Sequence, residues 1–150
     1  FNLPDRLEAE YIGEDGSKHQ PVMMHRAILG SFERFIGILI ENYSGKLPLW
    51  LAPTQISILT VTEEVNEYAF SLKEKFDEIN LRVELDNRNE KIGYKIREHS
   101  NAKVPLMAVI GKDEMSAETV SIRNLRENNT NTYSIDEAIK LLMSESSLPS

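Results

Sequence analysis

Residues 104–110 (VPLMAVI) are nearly all apolar. A run this short, with no polar alternation, reads as a strand covered on both faces of a sheet, and it therefore demands layers above and below it. Pro105 offers no ladder donor, so it belongs near the beginning of that strand. Residues 55–61 (QISILTV) are similarly apolar and β-branched. Between the two runs, residues 63–79 place Val65, Tyr68, Ala69, Leu72 and Phe76 on one helical side. Residues 81–85 then form a second strand, and residues from about 91 to 101 a second helix. This β-α-β-α-β order implies right-handed crossovers and a largely parallel sheet covered by helices.

Beyond residue 110, Gly111-Lys112-Asp113-Glu114 reads as a turn, residues 119–125 as a fourth strand, and 129–133 as a short fifth. A last helix starts at Ser134, where Glu137 three residues on completes a capping box, and runs to about Ser144. The tail 144–150 is expected to fray. Upstream, residues 6–12 and 21–28 read as an antiparallel hairpin joined through the turn formers 13–17. Residues 31–43 follow as a helix with Ser31 at its cap and Phe32, Phe35, Ile36, Leu39 and Ile40 at helical spacing. The break at 43–48 is the expected domain boundary, dividing the chain into 1–48 and 49–150. The fold class is α/β: a mixed, mostly parallel five-stranded sheet with about three helices, preceded by a β-hairpin and a helix.

Composition limits the chemistry. The chain of 150 residues contains no cysteine, so disulfides and thiol nucleophiles are excluded, and a metal would need His, Asp or Glu. That absence suits a reducing cytoplasm. The longest apolar run, 35–40, is far short of the ~20 residues that cross a bilayer. The beginning, FNLPD, has neither an initiator methionine nor a basic leader and reads as a cut inside a longer chain. The formal charge of −7 disfavours a general nucleic-acid binder. Residues 88–103 run against that trend, with five cations (Arg88, Lys91, Lys95, Arg97, Lys103) against two acids (Glu90, Glu98), a local net of +3. An acidic chain with one basic patch can still bind RNA, with its acidity limiting non-specific contacts. There is no Gly-x-Gly-x-x-Gly, no P-loop and no cysteine-rich metal pattern. The residues alone stop at an α/β domain with a basic helix, a fold that hosts many activities.

Residues 21–41 (PVMMHRAILGSFERFIGILIE) go further. They lack the glycines of the generic motif 3 of class II aminoacyl-tRNA synthetases, having Ala27, Leu29 and Ser31 in their places. They resemble instead the threonyl form of that motif, His-Arg-Ala-Ile-Leu-Gly-Ser-x-Glu-Arg-Phe, at each fixed position. Residues 50–53 (WLAP) and 86–98 (DNRNEKIGYKIRE) are similar to the joint and the anticodon-binding domain shared by the threonyl, prolyl, histidyl and glycyl enzymes. The resemblance covers essentially the whole chain and implies the end of a catalytic domain followed by an anticodon reader. By itself such a fragment would be inactive.

The same resemblance assigns roles. Arg34 would lie over the ATP phosphates and Ser31 would line the adenylate pocket. His25 would be one ligand of a catalytic zinc that grips threonine, the other ligands lying outside this chain, so that neither zinc nor ATP is expected on the fragment. Arg88, Asn89, Lys91, Arg97, Glu114 and Arg123 would contact tRNA(Thr). A carboxylate can accept from a guanine edge and an arginine can donate to base carbonyls. Threonine, ATP and a homodimeric whole enzyme, in the cytoplasm and away from membranes, complete the implied setting. Plainer readings stand beside these: a solvated arginine at 34, an edge histidine at 25, a helix cap at Ser31, an N-cap at Asn89, a solvated face for Lys95 and Glu98, and a solvated turn at Glu114. A non-catalytic RNA- or protein-binding accessory protein and a small-molecule-binding flavodoxin-like domain are the alternatives at the level of function.

Overall fold

The computed structural model describes residues 2–148 and divides into two compact units, Phe1–Ile38 and Leu39–Ser150. The first unit begins with a short helix, α1 (Leu3–Arg6). A two-stranded antiparallel hairpin follows, β1 (Tyr11–Ile12) with β2 (Lys18–His19). The expected turn is present, with the Gly13 amide donating to Ser17 O at 2.8 Å. The expected strand lengths are not. Residues 21–28 form no strand, and 6–10 add nothing to the ladder. The ladder is limited to Tyr11↔His19 and Ile12↔Lys18, and among the described residues no strand pairs with 21–28. Val22, Met24 and Ile28 stay exposed there.

Helix α2 (Phe32–Asn42) matches the expected helix, and Ser31 caps it by accepting from the Arg34 amide at 3.2 Å. Its apolar stripe is not buried: Phe32, Phe35, Ile36, Ile38 and Ile40 are all exposed. The division between the two units falls within this helix.

The second unit is built on β3 (Ile56–Thr60), β4 (Val83–Asp86), β5 (Leu106–Ile110), β6 (Thr119–Asn124) and β7 (Asn129–Ser134), in the spatial order β4-β3-β5-β6-β7. β3 pairs in parallel with both β4 and β5, β6 runs antiparallel to β5, and β7 antiparallel to β6. Parallel neighbours followed by an antiparallel edge is the arrangement the sequence implied. Pro105 stands one residue before β5, where its missing N–H costs no ladder bond.

Register defines the two faces. One carries Ile56, Ile58, Leu106, Ala108, Ile110, Val120 and Ile122 against α3 (Asn66–Glu78) and α6 (Ile135–Ser146), which supply Ala69, Leu72, Phe76, Ala138 and Leu142. A single 3₁₀ turn, Glu63–Val65, leads into α3 and buries Val65. The other face carries Ser57, Leu59 and Met107, and α4 (Ile92–Asn101) packs on β3 from that side. A short helix absent from the sequence reading, α5 (Lys112–Ala117), occupies the expected turn after β5. α6 runs two residues past its expected end, and residues 149–150 of the expected frayed tail lie outside the described residues. No helix among the described residues is long and apolar enough to cross a membrane.

Candidate nucleic-acid interface

The parallel strands end where β4 passes into the segment 87–91, which carries Arg88, Asn89 and Lys91 into α4. Crevices outside the carboxyl ends of such strands are the usual ligand sites of open α/β sheets. What holds this segment is a buried charge cluster. Asp86, the last residue of β4, is 5% exposed, and its carboxylate receives Arg88 through Nε at 2.9 Å and Nη2 at 2.6 Å. The Arg88 amide adds a bond at 3.2 Å, and His99 Nε2 lies 3.1 Å from the second oxygen. The Arg88 guanidinium, together with His99 and Lys95, holds the Asp86 carboxyl well below the usual carboxylate range despite burial.

Lys95 is 1% exposed, so the solvated-face reading fails for it. Its Nζ donates to Thr60 O at 2.9 Å and to Asp86 O at 3.1 Å, tying together the ends of β3 and β4. Burial pushes its ammonium group down, with Asp86 opposing. Glu98 does sit at the surface, as the same reading had it, but bonded to Arg88 Nη2 at 2.6 Å. Arg88 is thus engaged by two carboxylates, which raise its pKa and leave fewer of its N–H groups for phosphate. Asn89 is exposed in the segment, and the N-cap of α4 is Lys91 rather than Asn89. Lys91 and Arg97 are exposed, the latter on α4.

Across the sheet, Glu114 lies at the third position of α5, not in a turn. Its carboxylate accepts from the Gly111 amide at 2.9 Å and from Ser121 Oγ at 2.7 Å. A Cβ at Gly111 would come within 3.1 Å of that carboxylate, which favours glycine there for close approach. Arg123 follows two residues along β6 on the same face as Ser121, and its Nη2 donates to Asn128 Oδ1 at 3.0 Å. Asn128 turns the β6–β7 hairpin with φ +54°, a left-handed conformation asparagine tolerates. The register puts Thr132 opposite Ser121 and Thr130 opposite Arg123. The result is a polar strip along β6 and β7: a carboxylate, two hydroxyls in contact and a guanidinium. Ser121 and Thr132 escaped the sequence reading, although the alternation Thr130-Asn131-Thr132 on an edge strand carried the signal.

The remaining expected residues lie in the N-terminal part. Ser31 and Arg34 share the first turn of α2, and Ser31 Oγ also donates to Glu33 at 3.0 Å. His25 is exposed in a segment without regular secondary structure, which removes the edge-strand reading. Zinc needs about four ligands, and no cluster of three or more His, Cys, Asp or Glu able to hold a metal occurs among the described residues. The residues present do not make up a metal site.

The sheet thus carries a polar strip on β6 and β7 and a basic strand-to-helix segment after β4, and comparison with known proteins shows the family. The model of the anticodon binding domain family matches residues 55–145, and the chain belongs to that family. Its relatives are threonine–tRNA ligases. It is 59% identical over 143 residues to the enzyme of Ehrlichia canis (strain Jake), covering 95% of this chain and 23% of that protein. To the enzyme of Parvibaculum lavamentivorans it is 57% identical over 149 residues, covering 99% of this chain and again 23% of the relative. The chain therefore spans about a quarter of the length of the ligases it matches. Among solved structures, it superposes with a TM-score of 0.77 and 33% identity on the crystal structure of the RNA binding domain of threonyl-tRNA synthetase from Cryptosporidium parvum Iowa II, over 100% of this chain and 38% of that one. The resemblance read from residues 21–41 and 86–98 is borne out.

Proposed function

We propose that this chain is the tRNA-reading part of a threonine–tRNA ligase, with residues 49–150 recognising the anticodon of tRNA(Thr) and residues 1–48 belonging to the end of the catalytic domain. The observation that carries this is the polar strip of Glu114, Ser121, Thr132 and Arg123, on a sheet whose β4 leads into a segment with Asn89 exposed. Glu114 accepts from a base edge, Arg123 donates to base carbonyls, and Asn89 offers both donor and acceptor. Lys91 and Arg97 hold the phosphate backbone, while Arg88, fixed by Asp86 and Glu98, shapes the segment and adds its remaining N–H groups.

The whole ligase activates threonine with ATP and esterifies it to tRNA(Thr) in the cytoplasm, as a homodimer carrying zinc. Ser31 and Arg34 contribute to its adenylate pocket and His25 to its metal. An always-charged guanidinium at a helix start suits charge developing on phosphates. The exposed apolar side chains of α2 and of 22–29 fit a surface that the rest of a catalytic domain covers.

The test is a titration of the chain with an anticodon stem-loop of tRNA(Thr) at two salt concentrations. Asn89→Ala, Glu114→Ala and Arg123→Ala should each weaken binding by about 1–3 kcal/mol per lost base contact, roughly 5–150-fold. Lys91→Ala should instead lower the salt slope by about one unit. Unchanged affinity in all of the first three removes the assigned roles. The chain alone should show no threonine-dependent ATP–pyrophosphate exchange, and measurable exchange would contradict the division of labour.

A further inference from the structure

We propose that Thr132 is an additional base-reading residue: its hydroxyl hydrogen is committed within the protein, so toward a ligand it can only accept, and it takes an N–H from a nucleobase edge beside Glu114. The inference rests on the anticodon-reading assignment above and deepens it.

An ionised carboxylate has only lone pairs to offer. Burial pushes the Glu114 carboxyl up, but the Ser121 hydroxyl and the Gly111 amide outweigh that and hold it below the usual range. Ser121 Oγ, 2.7 Å from Glu114 Oε1, is therefore the donor of that bond. A hydroxyl has one hydrogen, and Ser121 has committed it. The 2.9 Å contact between Ser121 Oγ and Thr132 Oγ1 is consequently made with the threonine hydrogen. The relay runs one way, from Thr132 to Ser121 to Glu114. Ser121 is buried at 8% exposure, whereas Thr132 is exposed and faces the ligand with unshared lone pairs alone. Arg123, two residues along β6 on the same face and paired with Thr130, supplies donors on the same strip. Two fixed acceptors next to a donor form a pattern that a base edge must complement.

Threonine codons begin with adenine and cytosine, so the complementary anticodon carries guanosine and uridine. The experiment uses the full chain, the native stem-loop, one loop with purine riboside for the guanosine (lacking both the N1–H and the N2 amine) and one with N3-methyluridine for the uridine (lacking the N3–H). Thr132→Val, which keeps the shape and removes the acceptor, should weaken the native loop about 3–10-fold, the range of one hydrogen bond. It should leave unchanged the affinity for whichever altered loop has lost the partnering donor. Thr132→Ser should restore native binding and discrimination. Ser121→Ala, which frees the threonine hydrogen, should narrow the preference for the native loop over that altered one. Two results overturn the inference while leaving anticodon reading in place: native affinity in Thr132→Val, or equal loss against all three loops. If the unsubstituted chain binds the native loop no better than a scrambled hairpin, the reading assignment falls and this inference with it. Thermal melts of each variant show that the fold is retained, as the exposed position of Thr132 leads us to expect.

Discussion

Asp86 shows how much one side chain at the end of a strand can organise. Arg88, His99 and Lys95 all converge on it, and Lys95 also holds the backbone oxygens of Thr60 and Asp86. Because its folded-state pKa is depressed, the carboxylate contributes stability that is complete above the unfolded-state value of about 3.9 and is lost as pH falls below it. Wild-type protein should therefore exceed Asp86→Asn in Tm at neutral pH, and the gap should shrink as pH falls below about 4. Thermal melts across that range check it, and a constant gap would contradict it. Asp86→Ala leaves Lys95 buried without its counter-charge. Removing one partner of a buried pair costs about 3–5 kcal/mol, which urea titration would measure. The sequence already contained part of this. Ile92, Lys95, Ile96 and His99 follow helical spacing, so the pattern put Lys95 on the inward stripe of α4. Reading charge as solvent exposure hides it, because the compensating oxygens come from the ends of two strands, at residues 60 and 86, and not from α4 itself.

Elements with their own start signals were legible and those that depend on partners were not. α6 begins where Ser134 and Glu137 exchange hydrogen bonds, with Glu137 Oε2 accepting from the Ser134 amide at 3.1 Å and Ser134 Oγ from the Glu137 amide at 3.4 Å. Ser134→Ala should cost about 1 kcal/mol, as loss of a side-chain N-cap generally does, read as a lowered denaturation midpoint. The runs at 55–61 and 104–110 became β3 and β5 because burial on both faces leaves a signature in composition alone. α5 is not legible in the sequence because a six-residue helix behind a glycine N-cap has the turn formers of a loop. The apolar content of residues 21–28 reads as a strand, yet a strand exists only where its backbone pairs with a neighbour, and among the described residues none pairs with this segment. In the candidate site, Glu114 and Arg123 were found through family resemblance. Ser121 and Thr132 were not, since only the register of β6 with β7 brings them together.

For the whole molecule, the decisive fact is where the core begins. Every residue of the main hydrophobic cluster lies between Leu49 and Leu142. Residues 49–150 should therefore fold cooperatively alone and bind the anticodon stem-loop as the full chain does. Cutting at that point removes two interactions of Arg126, its bond to Lys46 O at 2.9 Å and its position over the Tyr43 ring. The first is exposed and the second lies over a half-buried ring, and each is worth about 1 kcal/mol or less. Circular dichroism melts of the truncated chain would show a broad, non-cooperative transition if this were wrong.

Val22, Met24, Ile28, Phe32, Phe35 and Ile36 stand in solvent. Attraction between such surfaces is entropic near room temperature and weakens on cooling. Particles that form through these side chains should dissolve in the cold room and return at body temperature, while the sheet domain stays folded throughout. Light scattering cycled between the two would separate this reversible clouding from denaturation, which does not clear on chilling once unfolded chains have aggregated.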